Sequence, residues 1–600
     1  MDRLSGRLSG LVLCAGLSPP AQAQQPVPVP DSVVVVAHPG YLTSGLHRFF
    51  LGEHYRTLWG TPVRAERLDL DRFTAIEPTT AYRQAALSLK TTDGTTVIFR
   101  PLVSSAEVAL PPALVDEFVD RAADDQRSAG YPASALVTSR LLAAVGLSQA
   151  GHPVLRVMPD DPRLGASRAA FGGQLGLVTL EEVAAVPSGA VEVGTSEDLI
   201  RALWQDPAQR PDAREYLTHR LMDLYLGVWD RPGDQRWALV PETGGGSRWQ
   251  QLPRNRDQAF SRFDGLLLAS GGGEGQRPPT FGPRYAPPGS MSRTERQLDR
   301  RLVSGLEQAD WIAAVELLKG RLTDSAIDWA LAGLPPEYRL ADGGFLREAL
   351  VARRDGLGLI ADGYYRFMSL EPDLEGTVGD DVVTVEVDGR GATRVVMRRS
   401  DRANPFFVRT FLPGETDEIR IYLRDGDDSA LITGAGKGPL VRVVGDPGHD
   451  TLIDESTHRH SRFYDETPAT AAVLDQDWGS ERGVIPRMQL SSEAGLALGL
   501  QYQRRSFGFR RQPYATQASG LIDFSFDRKS FRLAGDARRK LIDRDGYVSF
   551  SVLASGLEGL RWFGEGNGTT ATEADDFYRV RQKVLVPIAS LSPVGKWGWQ

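Results

Sequence analysis

"LMDLYLGVWDRPGDQRW", Leu221 to Trp237, decides how the middle of this chain is read. The run predicts an amphipathic helix, then a charged turn, then a strand. Reversing the chain needs only residues such as Gly, Pro, Asn or Asp. This turn instead sets Asp-Arg and then Asp-Gln directly behind the apolar face of a helix, which points to a loop that carries chemistry.

Working outward, "AALSLKTTDGTTVIFRPL" is a hairpin whose alternating strands flank "TDG" and whose second strand delivers Arg100 at its end. "PPALVDEFVDRAADDQRSAG" follows as a helix that opens near Pro, carries Glu117 and stops at Gly130. A second helix, "ASALVTSRLLAAVGL", and two strands, "PVLRVMP" and "GQLGLVTLEE", precede "SEDLIRALWQ", where Ser196 is the expected N-cap. Beyond the opening stretch, "LPRNRDQAFSRFDG" supplies Asp257, with Phe260 expected to pack beneath it. A Gly/Pro-rich loop, "GGGEGQRPPTFGPRYAPPGS", leads back to helix over 293–370, where the leucines and aromatics read as core.

Phosphoryl transfer needs few parts: a cation on the phosphates, a carboxylate near the attacking hydroxyl, and a metal held by a second carboxylate and an amide. The chain offers them in order. Arg100 is the fixed cation and Glu117 could orient it; Asp230 is the catalytic-loop carboxylate; Gln235, five positions later, stands where kinases keep a metal-binding Asn. Asp257 suits Mg²⁺ or Mn²⁺ bound with a nucleotide. Each residue also admits a purely structural role. Asp230 and Arg231 could cap a helix end, Asp257 could neutralise Arg254, Arg256 and Arg262, Arg100 could anchor a neighbouring carboxylate, and Glu117 could be one more acid on a solvated helix face.

From Thr377 the character turns to β. "DVVTVEVDGRGATRVVMRRS" is a hairpin, and the "GDDS" and "GHDT" turns of the next segments read as successive coils of a small β-stack, as solvated turns rather than a calcium site. From Ile485 onward the period is two: "GLALGLQYQ" puts Leu496, Leu498, Leu500 and Tyr502 on one side and Ala497, Gly499, Gln501 and Gln503 on the other. "GLIDFSFDRKSFRLAGDARRKL" and "GYVSFSVLASG" repeat it. Apolar-out, small-or-polar-in strands with aromatic ends are what a closed barrel in lipid requires; a soluble antiparallel sandwich shares the alternation. Residues 485–600 hold about six such strands, fewer than the roughly eight of the smallest barrels, so the barrel is expected to continue past this sequence.

The first residues, with Arg3, Arg7, "GLVLCAGL" and "AQAQ", predict a secretory signal ending at Ala23. The lone Cys14 falls inside it, so the exported chain is expected to hold no disulfide or thiolate metal site. No stretch approaches the roughly 18 apolar residues of a membrane helix, so any span must be built of strands. With 69 basic against 77 acidic residues, the net charge of -8 argues against a nucleic-acid partner. His152, His219 and the "HRH" at 458–460 lack metal-ligand spacing and read as surface or core histidines. Six hundred residues exceed one core, and the expected architecture is multidomain: signal 1–23, linker 24–31, α+β domain 32–370, β-rich connector 371–470 and the start of an antiparallel β-barrel at 485–600.

"MDLYLGVWDRPGDQRW" with "RNRDQAF" resembles the catalytic loop and metal motif of the atypical kinases that include secretory-pathway casein kinases, HipA-type kinases and spore-coat CotH kinases. More widely, the run from "LGEHYRTLWGTPVRAERLDL" through "PDDPRLG", "DRPGDQRW", "RDQAFSRFDG" and "FFVRTFLPGETDEIRIY" to "GFRRQPYA" resembles bacterial envelope proteins that join such a region to an outer-membrane barrel of the BamA/TamA surface-antigen kind. The resemblance implies an outer-membrane protein with a kinase-like domain in the periplasm. It departs from the kinase pattern at Pro232, where His would follow Asp-Arg, and at Arg100, where the strand would carry Lys. No Asp-x-His, Gly-Asp-x-x-Asp or Gly-Asn-His-Glu cluster supports phosphoesterase chemistry. Because ATP is scarce in the periplasm, a second expectation stands beside phosphoryl or nucleotidyl transfer: a non-catalytic docking or assembly module for a periplasmic protein or an envelope polymer, tethered to outer-membrane lipid.

Overall fold

In a computed structural model, the residues described are 31–593 apart from 44, 82–83, 104–124, 148–151, 181–185, 230–234, 253–255, 266–277, 293, 446–447, 466–476, 492–494, 512, 542–545, 566–569, 571 and 575–576. An α+β body, a parallel β-stack and an antiparallel meander succeed one another along the chain.

The body opens with a five-stranded antiparallel sheet: β1 (Phe73–Ala81), β2 (Gln84–Thr91), β3 (Thr96–Pro101), β4 (Val154–Val157) and β5 (Leu175–Leu180), in spatial order β1-β2-β3-β5-β4. The β2–β3 hairpin closes on the expected "TDG" turn. The Thr91 N–H donates to the Thr95 carbonyl at 2.8 Å, and Gly94 takes the positive φ of 87° that the reversal demands. Leu87, Leu89 and Phe99 sit beneath the sheet against Met158, Leu164 and Phe171.

Helices follow: α1 (Ser134–Ala144), α2 (Ser196–Gln205), α3 (Ala213–Leu226), α4 (Gln308–Arg321), α5 (Asp324–Leu331) and α6 (Pro336–Ser369). The N-cap of α2 is Thr195, not Ser196: Thr195 is extended, and its side chain and that of Asp198 close a capping box that leaves Ser196 as the first helical residue. A second correction concerns α3. It is not amphipathic; every residue from Tyr216 to Leu226 is buried, because α3 lies between α4, α6 and a four-stranded sheet. That sheet holds β6 (Glu192–Thr195), β7 (Gln209–Pro211), β8 (Arg236–Pro241) and β9 (Ser247–Gln251) in order β6-β8-β9-β7. A helix hydrophobic all round belongs in a core, and its polar members must then find partners inside. α6, 34 residues and so about 50 Å long, spans the body and shares one core with α3 and α4 through Leu346, Leu350, Leu357 and Tyr364.

The connector is a stack of parallel coils. One face carries β10 (Asp373–Glu375), β14 (Glu418–Arg424), β16 (Leu440–Gly445) and β18 (Ser461–Asp465); the other carries β11 (Asp381–Val387), the hairpin partners β12 (Thr393–Arg399) and β13 (Phe407–Phe411), and β15 (Ser429–Gly434) and β17 (Thr451–Asp454). Val383, Val385, Ile419, Ile421, Ile432 and Val443 fill the space between. The acidic turns form the rungs from coil to coil. Asp380 Oδ1 accepts from the Asp427 N–H at 3.0 Å, Asp427 Oδ1 from the His449 N–H at 3.0 Å, Asp428 Oδ1 from the Asp381 N–H at 2.6 Å, and Asp450 Oδ1 from the Asp428 N–H at 3.1 Å.

The meander runs β19 (Ser480–Ser491), β20 (Gly495–Ser506), β21 (Thr516–Ser525), β22 (Ser530–Lys540), β23 (Gly546–Ser555) and β24 (Val584–Pro593), each antiparallel to the next. Among the described residues the first and last strands each bond one neighbour within this sheet. One face exposes Leu498, Leu500, Tyr502, Ile522, Phe531, Leu533 and Phe550, while Ala497, Asp523 and Ser525 are buried on the other. No helix among the described residues is long and apolar enough to cross a membrane. Buried arginines join the three parts: Arg300 Nη1 lies 2.7 Å from Asp373 Oδ2, and Arg420 donates to Asp477 at 2.8 Å and Glu371 at 2.7 Å.

Candidate active site

Arg100 leaves β3 held on both sides, since its strand pairs β2 and β5 and Arg100 itself lies opposite Leu177. Its guanidinium reaches the turn after β9 and meets the Asp257 carboxylate with both terminal nitrogens, Nη2 donating to Oδ1 at 2.9 Å and Nη1 to Oδ2. The two residues stand 157 positions apart in sequence. The Arg100 side chain is 7% exposed and that of Asp257 29%, so solvent reaches the pair from the carboxylate side.

The Asp257 turn is fixed by its neighbours. Ser134 Oγ, in the first turn of α1, donates to the Asp257 carbonyl at 3.3 Å. Arg256 points away into the core, where Nε donates to Asp223 Oδ1 at 2.7 Å and Nη2 lies 3.1 Å from His219 Nδ1. Phe260 is fully buried against Phe281 and Tyr131, with a positive φ of 65°, and its N–H donates to the Leu226 carbonyl at 3.0 Å. That carbonyl is one of the last of α3, which a helix end leaves without an internal partner. Phe260 therefore ties the turn that carries Asp257 to the end of the helix that precedes Asp230.

The polar residues of α3 form the base. Arg220 donates to both Asp299 oxygens at 2.7 and 2.9 Å and to Asp223 Oδ2 at 3.0 Å; Tyr216 donates to Asp299 at 2.5 Å, and the Tyr364 hydroxyl bonds the same carboxylate. Burial alone would pull the Arg220 guanidinium down, but Asp299, with Tyr364, Tyr216 and Asp223, holds it well above its ordinary value. The C-terminal end of α3 closes on Gly227, whose left-handed φ of 75° reverses the chain where an added Cβ would meet Phe281 at 2.9 Å. From α6, Arg353 donates to the Tyr225 carbonyl at 2.8 Å and the Leu224 carbonyl at 2.5 Å, and to the Gly282 and Arg284 carbonyls at 3.1 Å each. Burial pulls this guanidinium down to about 10, against the opposing effect of Tyr285 and Tyr225.

Of the residues singled out in the sequence, then, Arg100 and Asp257 come together. Gln235 is fully buried at the start of β8, and its Oε1 accepts from Gln251 Nε2 at 3.3 Å. Asp230 and Glu117 lie outside the described residues. Arg262 does not face Asp257; it stacks over Tyr55 and Phe345. His219 is the core histidine that its spacing suggested, 1% exposed. Sequence reasoning missed Asp223, Arg220, Asp299, Arg256 and Arg353. A signal for the first two was present: Asp223 stands three residues past Arg220 and four past His219, so the three share one side of the helix.

The donor chemistry suits a hard cation of the magnesium kind, which takes oxygen ligands and is commonly held by one or two protein carboxylates together with substrate phosphates. Asp257 supplies one such carboxylate beside a guanidinium shaped for phosphate. Among the described residues there is no cluster of three His, Cys, Asp or Glu that could hold an ion.

No protein-family model matches the sequence, and no curated protein matches it. Among solved structures, the Golgi casein kinase with Mn/ADP bound is similar over 49% of this chain and 72% of that chain, with 11% identity and a TM-score of 0.27. A second structure of the Golgi casein kinase is similar over 55% of this chain and 83% of its own, with 11% identity and a TM-score of 0.26.

Proposed function

We propose that this chain is an outer-membrane protein whose meander lies in lipid as part of a β-barrel and whose α+β body transfers a phosphoryl group from a nucleotide. The observation that carries the second half is the meeting of Arg100, at the end of the third strand of the body's sheet, with Asp257, just past the hairpin that follows the Asp230 loop. A kinase site requires a strand cation on the phosphates and a metal-binding carboxylate close to it.

In this reading Arg100 binds the nucleotide phosphates, and Asp257 with Gln235 would hold Mg²⁺ or Mn²⁺, which would supply positive charge against that developing on the transferred group. Asp230 orients the acceptor hydroxyl and takes its proton as the new P–O bond forms and the bond to the nucleoside diphosphate breaks. Asp257 must then exchange part of its contact with Arg100 for the ion, and Arg100 turns to the phosphates. For the first half, the exposed row Leu496, Leu498, Leu500 and Tyr502 supports lipid contact, because an apolar face of six strands in water would be an aggregation surface.

Thermal unfolding of the full-length protein with Mn²⁺ and ADP tests the site. Stabilisation in the wild type that Asp257→Ala removes supports it; at ligand a hundredfold above Kd the gain is about 2.7 kcal/mol. An equal shift in both proteins, or none in either, contradicts it.

One observation favours a second reading, a non-catalytic docking module for a periplasmic protein or envelope polymer. The Gln235 amide oxygen is engaged by Gln251 inside the core.

A further inference from the structure

His54 is buried with a positive φ of 52°, an uncommon conformation for a residue other than glycine. Its backbone and ring both grip Asp264, which follows Asp257 in the same segment. The His54 N–H donates to Asp264 Oδ1 at 2.9 Å, and ring Nε2 lies 3.2 Å from the Asp264 carbonyl oxygen and 3.8 Å from Oδ1. The two backbones touch here. Gly52, at φ 109°, and Gly265, at φ 115°, approach so closely that a Cβ on Gly52 would run into the Asp264 carbonyl and one on Gly265 into the Gly52 nitrogen. The same segment is strapped twice more: Tyr55 Oη donates to the Phe260 carbonyl at 2.6 Å, and the Arg262 N–H to the Ala129 carbonyl at 2.8 Å.

The other ring nitrogen fixes the protonation pattern. Ser128 Oγ spends its one hydrogen on the Asp125 carbonyl at 2.6 Å, so it can only accept from His54 Nδ1, 2.8 Å away. A neutral His54 therefore carries its hydrogen on Nδ1, and a second proton arrives at Nε2. We infer that His54 is a positioning residue for the metal–nucleotide site: its neutral ring clasps the segment that carries Asp257, and uptake of a proton at Nε2 releases that segment. The added charge would stand on a side chain with no exposure to solvent, near Arg56, and Asp264 and Asp125 offset it only in part. Burial is the largest influence and holds the ring below its ordinary 6.5. The clasp thus holds the second proton less readily than water does, and acid favours the opened segment. Its restraint is complete above about pH 6.5 and declines as pH falls below that. The clasp stands on these contacts; its bearing on a metal–nucleotide site rests on the phosphotransfer reading above.

Hydrogen exchange of the full-length protein, followed over peptides spanning 52–56 and 258–265 and corrected for the intrinsic rate, tests both. Wild-type opening of these peptides rises about fivefold between pH 7.5 and pH 5.5, and His54→Asn abolishes the rise. Asn tolerates the positive φ, offers an N–H to Ser128 and takes up no proton. Asp264→Asn keeps an acceptor for the His54 N–H but removes the carboxylate that opposes burial, and so steepens the rise. Equal pH responses in the wild type and His54→Asn, no response in the wild type, or an unchanged response in Asp264→Asn overturns the clasp. At pH 7.5, saturating Mn²⁺ and ADP slow exchange over 258–265 in the wild type, since opening must then release the ligands as well. Binding without that slowing overturns the link to the site. Absence of Mn²⁺ and ADP binding at either pH contradicts the phosphotransfer reading, while the pH comparison still decides the clasp.

Discussion

Asp257 and Arg100 show how much a single carboxylate holds. Arg100 is 6% exposed, so truncating its partner leaves a buried cation without its carboxylate. Asp257→Ala should cost about 2 kcal/mol, and Arg100→Met added to it should recover part of that loss, a coupling that chemical denaturation of the four proteins of the cycle would measure. Arg353 is a stronger case. Its side chain serves four carbonyls at the end of α3 and in the 282–284 segment, all of which Arg353→Ala would strip of a donor at once, for a loss of about 3 kcal/mol or more in the same measurement. Arg100 and Asp257 were legible in the sequence because local pattern places them, one at the end of an alternating strand and one just past a hairpin. Arg353 was not, because its role depends on α6 crossing α3, and nothing within a few residues of it encodes that crossing.

At the scale of elements, the connector makes a pH prediction. Burial, with Asp381, Asp450 and Asp380 near it, raises the Asp428 carboxyl to about 8, and burial raises Asp381 to about 6. Both groups release protons more readily in the unfolded chain than in the fold. Their contribution is therefore complete below about pH 4 and declines as pH rises through 6 for Asp381 and 8 for Asp428. Hydrogen exchange at the rung amides of Asp381 and Asp428, corrected for the intrinsic rate, should show protection lower at pH 8 than at pH 5 by about 4 kcal/mol in opening free energy. Asp428→Asn, which keeps the acceptor oxygen without the charge, should flatten most of that difference. A pH-independent opening energy would contradict the assignment. The coils themselves were visible in the repeated "GDDS" and "GHDT" turns, since strands of one stack must return at a regular interval; the Asp-to-amide rungs were not, because they join residues 22 or 47 positions apart. The opposite lesson comes from α3. Its pattern reads as amphipathic only while His219, Arg220 and Asp223 are taken as a wet face, and pairing with Asp299 and Arg256 turns that face inward.

At the scale of the molecule, period-two alternation announced the meander, because successive residues of a strand face opposite sides of its sheet. Which strand bonds which followed from the short turns as far as β23; β24 joins it only after residues 556–583. The junction of buried arginines, Arg300 and Arg420 with Asp373, Glu371 and Asp477, draws on residues from three regions and could not be read from any one of them. The exposed apolar face predicts that the full-length protein needs detergent to stay dispersed, and that replacing Leu498, Leu500 and Phe531 by Ser weakens flotation with vesicles while leaving nucleotide binding to the body unchanged.

The central claim is that Arg100 and Asp257 form a metal–nucleotide site, and its most direct test is electron paramagnetic resonance of Mn²⁺ titrated into the full-length protein with ADP. The account predicts one saturable bound ion that requires both ADP and protein, is lost in Asp257→Asn, and weakens in Arg100→Gln. Binding of the same stoichiometry and affinity in Asp257→Asn would contradict it.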